Sequence, residues 1–218
     1  MKLQLAIDIP DKKIIFNIID EIYEIIDIIE IGTPVIMKYG VEIVKSIKSK
    51  YKAKKILADL KIIDGGKKES EIGFDSNADI ITVLSHSSEK TLIDVKEVAN
   101  NYGKEVMLDF INSVSCRDVY SSFFKYDFSY YCIHTSHDST ITGENPLNDL
   151  TEFYNICDSN KIAVAGGITP QILKKILKYK PGIIVIGSYI TNSNYRKNAL
   201  EIQNIIKNES NQESNFRN

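Results

Sequence analysis

The run Asp59-Leu60-Lys61-Ile62-Ile63-Asp64 places two acids and an ammonium at the end of an apolar segment, just before Gly65-Gly66. Ile56, Leu57 and Ala58 read as a buried strand. Residues two apart on a strand share a face, so Asp59 and Lys61 point the same way. Burying an unpaired charge is costly, so alternating acid and base must form one compensated network. That network is either a salt bridge capping a strand or a charged centre around a metal and a substrate. An isolated D-x-K-x-x-D is more often the former; the rest of the chain shifts the balance.

Other ionisable residues fall where strands end. Asp8 ends the first strand, Glu30 sits in the second, Asp109 lies in the fifth and His134 in the sixth. Each has a bland reading: Asp8 as a helix N-cap, Asp109 as a turn acid, His134 as a core histidine with a backbone partner. Converging on one mouth, they would repel and desolvate one another unless Lys61, His134 and a divalent cation balanced the carboxylates. The last two strands end in Ala165-Gly166-Gly167 and Gly187-Ser188. These are phosphate-site candidates, because glycine lets the backbone approach a ligand and N–H groups at a helix start favour anions. Turns need glycine too, so the paired placement carries the reading. The polar stretch from Thr135 through Ser136, His137 and Asp138 to Gly143 and Glu144 is long for a βα loop and reads as a lid. His86 reads as surface polar.

The elements that must position these groups alternate. Strand-like runs are Leu3–Ile9, Asp27–Thr33, Lys55–Lys61, Asp79–Ser85, Glu105–Asn112, Phe128–Ser136, Lys161–Gly167 and Gly182–Ser188. Stretches of helical period lie between most of them: Lys12–Ile26, Val41–Tyr51, Leu92–Tyr102, Leu147–Cys157, Pro170–Tyr179 and Arg196–Lys207. Eight βα units predict a single-domain (β/α)8 TIM barrel over residues 1–207, with catalytic groups at the C-terminal strand ends. A doubly wound sheet would need a Gly-rich turn after the first strand, and Asp8-Ile9-Pro10-Asp11 offers none. Residues 208–218 are polar and rich in Asn, Ser and Glu, and read as a disordered tail with Phe216 solvated.

With 218 residues the chain can bury a full core, and no composition break divides it. A net charge of −2 with scattered lysines argues against a nucleic-acid partner. No secretory leader or membrane-spanning stretch is evident, so no membrane partner and a cytoplasmic location are expected. Cys116, Cys132 and Cys157 lack metal-ligand spacing and read as ordinary thiols of a reducing compartment.

With these residues in place, the chain resembles the 3-hexulose-6-phosphate synthases of the orotidine 5'-monophosphate decarboxylase suprafamily. The resemblance is carried by Leu3-Gln4-Leu5-Ala6-Ile7-Asp8, Ile28-Ile29-Glu30-Ile31-Gly32-Thr33-Pro34, the Asp59–Asp64 run, Tyr102-Gly103-Lys104-Glu105-Val106-Met107-Leu108-Asp109, Ile133-His134-Thr135 and Val164-Ala165-Gly166-Gly167-Ile168. It implies a homodimeric barrel and a Mg2+-dependent aldol addition of formaldehyde to the phosphosugar D-ribulose 5-phosphate, giving D-arabino-hex-3-ulose 6-phosphate. It also implies that Glu30 and Asp59 hold Mg2+, that Asp8 and Lys61 contact substrate hydroxyls and the developing enediolate, and that Asp64 reaches the partner's site. His134 would transfer protons, and the backbone of Gly166, Gly167, Gly187 and Ser188 would receive phosphate.

Two relatives compete. The 3-keto-L-gulonate 6-phosphate decarboxylases share the carboxylate and lysine core, but Asp109, Ala165 and Gly32-Thr33-Pro34 look like the synthase. His137 and Ser188 depart from both patterns and leave open a silent phosphosugar-binding protein. A Schiff base on Lys61 is disfavoured, because Asp59 and Asp64 stabilise the protonated amine.

Overall fold

Alternation along each strand decides which side chains line the barrel and which meet the helices. The structure, a computed structural model, describes the backbone of residues 1–215 and the side chains of residues 1–209. The strands are β1 Lys2–Ile7, β2 Ile28–Ile31, β3 Lys55–Ile62, β4 Ile80–Leu84, β5 Glu105–Asp109, β6 Tyr130–His134, β7 Ile162–Ala165 and β8 Ile183–Ile186. Every neighbouring pair is parallel, and β1 pairs with β8 to close the barrel.

The helices are α1 Lys12–Ile22, α2 Thr33–Tyr39, α3 Glu42–Lys50, α4 Gly66–Asp75, α5 Glu89–Tyr102 and α6 Cys116–Phe123. They continue with α7 His137–Ile141, α8 Leu147–Phe153, α9 Pro170–Ile176, α10 Ser188–Thr191 and α11 Tyr195–Asn215. Where the sequence predicts a helix the structure has one, beginning within three residues of the expected start. Their starts are capped as the residues dictate: Asp11 accepts from the amides of Lys13 and Ile14, Ser88 from Thr91, and Thr169 from Ile172 ahead of Pro170.

Two apolar layers result. Ile28, Leu57, Ile80, Met107, Cys132 and Ile183 pack inside the barrel. Leu5, Ile29, Ala58, Ile81, Leu108, Ile133 and Ile184 face outward against helices, where Ile15, Ile18 and Ile22 of α1 meet them. Odd and even positions of one strand therefore serve different cores. Cys116 and Cys132 are buried and Cys157 partly so, all three free.

The expected strands overrun the observed ones mainly at their C-terminal ends, at Ile9, Thr33, Asn112, Ser136, Gly167 and Ser188. Pairing with both neighbours sets strand length, and the chain leaves the ladder before the polar and glycine residues that follow each apolar run. At the other end of the chain, α11 carries the backbone of residues 208–215 on as helix, anchored by buried Ala199, Ile202 and Ile206. The segment read as a tail continues the helix as far as Asn215, because propagation from an already nucleated helix costs little. Phe216 lies outside the described residues.

Candidate active site

One position above the inner apolar layer, the same alternation turns charged side chains into the barrel mouth. Glu30 follows Ile28 by two residues, Asp59 follows Leu57, Asp109 follows Met107 and His134 follows Cys132. Lys61 joins them through a local irregularity: the β3–β4 register moves from Ala58 opposite Ile81 to Ile62 opposite Val83. Within that bulge Lys61 takes φ +47°, in the left-handed region.

Asp59 is the hub. Its Oδ2 accepts from the Lys61 ammonium and from Thr33 Oγ1 (2.9 Å), and its Oδ1 accepts from Thr82 Oγ1 (2.8 Å). Lys61 Nζ also lies 3.9 Å from Asp109 Oδ2. Burial opposes the lysine charge, but the Asp59 and Asp109 carboxylates outweigh it and hold the ammonium well above its usual range. Asp109 in turn sits 3.0 and 3.1 Å from His134 Nδ1 and accepts the Ile111 amide at 2.9 Å. Burial works against both ionised forms. Their mutual attraction wins, lowering the Asp109 carboxyl and raising the His134 imidazole.

Glu30 has the opposite balance. Burial, then the charge of Asp59, push its carboxyl up to about 8. Gln4 Nε2 donates to Glu30 Oε2 at 2.7 Å, while Gln4 Oε1 is buried without a partner among the described residues. Asp8 stands just beyond β1 at the rim. Its carboxylate packs on Gly32, where a Cβ would fall 2.0 Å from Oδ1, and burial with the Asp59 charge raises its carboxyl. The mouth thus holds more acid than its bases neutralise.

The glycine loops stand beside this cluster. Gly166 has φ +97° and Gly167 φ +60°; a Cβ on Gly166 would lie 2.1 Å from the Thr135 carbonyl oxygen. The amides of Gly166, Gly167, Gly187 and Ser188 donate to no acceptor among the described residues. The helix after Gly167 starts only at Pro170 behind the Thr169 cap, so the glycine amides belong to the loop itself. The predicted lid contains α7, whose Thr140 packs over Gly167. A cavity of about 480 Å³ opens beside His134, lined also by Phe110, Asn112 and Ser139.

The structure therefore gathers Glu30, Asp59, Lys61, Asp109 and His134, with Asp8 at the rim. Asp64 is not part of this group: it is exposed and makes no hydrogen bond or ion pair among the described residues. His86 and His137 are exposed, the latter near enough to act on Asp8. Sequence reasoning missed Gln4, Thr33 and Thr82, which hold the acids in place. The available signal was an uncharged polar side chain on the inner face of an apolar strand, as in Leu3-Gln4-Leu5 and Ile81-Thr82-Val83.

Known proteins resemble this chain to different degrees. The 3-hexulose-6-phosphate synthase of Bacillus subtilis (strain 168) is 35% identical over 196 residues, covering 88% of this chain and 92% of that protein. The crystal structure of the 3-hexulose-6-phosphate synthase from Salmonella typhimurium superposes with a TM-score of 0.89 at 33% identity, covering 96% of this chain and 100% of that one. The 3-keto-L-gulonate-6-phosphate decarboxylase from Vibrio cholerae superposes with a TM-score of 0.83, covering 95% of this chain and 97% of that one, but at 20% identity this likeness concerns the fold alone. Residues 1–202 match the model of one family, and with the barrel, the order of its acids and the identity to the synthases, the chain belongs to the orotidine 5'-phosphate decarboxylase / HUMPS family.

Proposed function

We propose that the protein catalyses the reversible aldol addition of formaldehyde to D-ribulose 5-phosphate, giving D-arabino-hex-3-ulose 6-phosphate, as an aldehyde-lyase. The observation that carries this reading is the Lys61 ammonium held between Asp59 and Asp109, with His134 on the far side of Asp109. The 35% identity to the Bacillus subtilis synthase over 92% of its length supports the substrate assignment.

The residues divide the chemistry between them. With Asp109 ionised, His134 Nδ1 carries a proton toward it and Nε2 is left to exchange one with substrate. His134 Nε2 takes the proton from C1 of the ketose, beside its carbonyl. The resulting enediolate attacks formaldehyde, a C–C bond forms, and the new alkoxide takes up the proton that His134 Nε2 removed from C1. Lys61 stays charged throughout and faces the oxygens that gain negative charge, which stabilises them electrostatically. The free amides of Gly166, Gly167, Gly187 and Ser188 are suited to the phosphate, and Asp8 to a sugar hydroxyl.

The acid excess at the mouth fits a hard cation, and we assign Mg2+ to Glu30 and Asp59. Glu30 Oε1 receives no protein donor among the described residues, and Asp59 Oδ1 receives only Thr82, leaving a lone pair on each. When bound, such an ion supplies positive charge to substrate oxygens. Asp64, exposed and unpaired beyond β3, is assigned to the site of a second copy in a homodimer.

The test is formaldehyde consumption with ribulose 5-phosphate, in Mg2+ and in chelator. Saturable, metal-dependent consumption is expected. Its absence, or faster carbon dioxide release from 3-keto-L-gulonate 6-phosphate, would overturn the reading.

A further inference from the structure

The acids and the lysine of the mouth are held by something that carries no charge. At the β3–β4 ladder, β3 advances four residues, from Ala58 to Ile62, while β4 advances two, from Ile81 to Val83. The residue of β4 facing that surplus is Thr82. It is 3% exposed and lies two positions after Ile80 of the inner layer, so its side chain is on the same inner face as Asp59. A regular ladder would satisfy the Lys61 amide with a β4 carbonyl. Here Thr82 Oγ1 takes that role, accepting from Lys61 N at 2.9 Å. The same hydroxyl donates its one proton to Asp59 Oδ1 at 2.8 Å.

We propose that Thr82 is a positioning residue for the Asp59–Lys61 pair: its hydroxyl ties the Lys61 backbone into the bulge and fixes the Asp59 carboxylate in one stroke. The two bonds act on different atoms for one result. The bond from the Lys61 amide keeps that residue at φ +47°, a conformation a lysine holds only when its surroundings impose it. The bond to Asp59 Oδ1 sets the rotation of the carboxylate and leaves Oδ2 for the ammonium. Thr33 fastens the other oxygen, so the carboxylate is gripped on both sides. Without the Thr82 hydroxyl the Lys61 amide is left without an acceptor at a buried bulge. The cheapest relief is a backbone turn that carries the ammonium away from the substrate carbonyl.

Three variants and two measurements test this. Thr82→Val keeps shape and branching but removes the hydroxyl; Thr82→Ser keeps the hydroxyl and removes the methyl; Thr82→Ala removes both. In the aldol assay, Thr82→Val is expected to lower kcat about 10²-fold, as a misplacement of about 1 Å does. The KM for ribulose 5-phosphate should stay within about threefold, because the phosphate loops are untouched. Thr82→Ser should recover kcat to within about threefold of the parent, and Thr82→Ala should resemble Thr82→Val. If serine is as poor as valine, or valine as good as the parent, the proposal fails.

The turnover arm rests on the aldolase reading; the second arm does not. In a crystal structure of Thr82→Val, Lys61 should leave the left-handed region and its ammonium should part from Asp59. Lys61 remaining at φ near +47° with the ion pair intact would overturn the proposal whatever the kinetics show. A parent without aldol turnover would sink the aldolase reading alone, and the crystallographic arm would still decide the role of Thr82.

Discussion

His134 Nδ1 lies almost equidistant from the two carboxylate oxygens of Asp109, at 3.0 and 3.1 Å. A forked contact of this kind fixes both the ring plane and the tautomer, because a carboxylate can only accept. Asp109→Asn removes the charge and offers an amide, which can donate to Nδ1 and reverse the tautomer. We expect kcat to fall about 10²- to 10⁴-fold, the usual share of a general acid or base. The imidazole should also titrate at lower pH than in the parent, since Asp109 is what raises it. NMR titration of the His134 ring checks this; an unchanged titration in the variant would contradict the assignment.

Glu30 should make the metal-free protein less stable as pH rises. Its carboxyl is raised from an ordinary 4.5 to about 8, so the folded state holds a proton that the unfolded chain releases. Stability from this group is full below pH 4.5 and is lost progressively up to about 8. Glu30→Gln abolishes the titration. In chelator, the variant should melt higher than the parent at pH 8 and level with it at pH 4; with Mg2+ supplied, its turnover should be about 10²-fold or more below the parent's. Added Mg2+ should raise the melting temperature of the parent and not that of the variant. A parent that melts the same at both pH values relative to Glu30→Gln would refute the buried-acid account.

How much of this was legible in the sequence depends on the kind of side chain. The strands were readable because an inward-facing and an outward-facing core both demand apolar residues, which leaves long Ile, Val and Leu runs. Asp59, Lys61 and His134 stood out because charge inside such a run needs a reason. Thr82 did not, since threonine suits a strand without any function. The bulge at Ala58–Ile62 has no residue signature; it exists because the two strands meet out of step. Four of the helices that escaped prediction have related causes. α4 starts after Gly65 at φ +60° with no side-chain cap, and α7 and α10 are too short to show a period. For α2, the cap position is Gly32, kept small by Asp8 packed against it, although Pro34 was a usable start signal.

Lys61→Ala should abolish turnover, by about 10³-fold or more, without unfolding the barrel. The lysine side chain is 28% exposed at the mouth and the apolar layers do not depend on it. Its removal leaves Asp59 without its main partner, which an adjoining acid can relieve by taking up a proton. Circular dichroism should match the parent. Borohydride with ketose should trap no adduct on Lys61 of the parent, since an amine held charged by two carboxylates is a poor nucleophile. A stable adduct would replace the enediolate route with a Schiff-base one.

Gly187→Ala separates phosphate binding from folding. At Gly187 φ is −103°, outside the left-handed region, and a Cβ would lie no closer than 3.5 Å to its neighbours, the Ala6 carbonyl oxygen among them. The fold should therefore survive, unlike at Gly166, where a Cβ would meet the Thr135 carbonyl at 2.1 Å. The added methyl also stands 3.9 Å from Asp8 Oδ2, facing the mouth where we place the phosphosugar. It should crowd the ligand and raise KM for ribulose 5-phosphate about tenfold, a loss of about 1.4 kcal/mol in binding. The effect on kcat should be several times smaller, because the Asp59–Lys61–Asp109–His134 chain is not touched. Inhibition by inorganic phosphate should weaken in parallel. If KM is unchanged, or if phosphate inhibits both proteins alike, the anion sits elsewhere than the loops after β7 and β8.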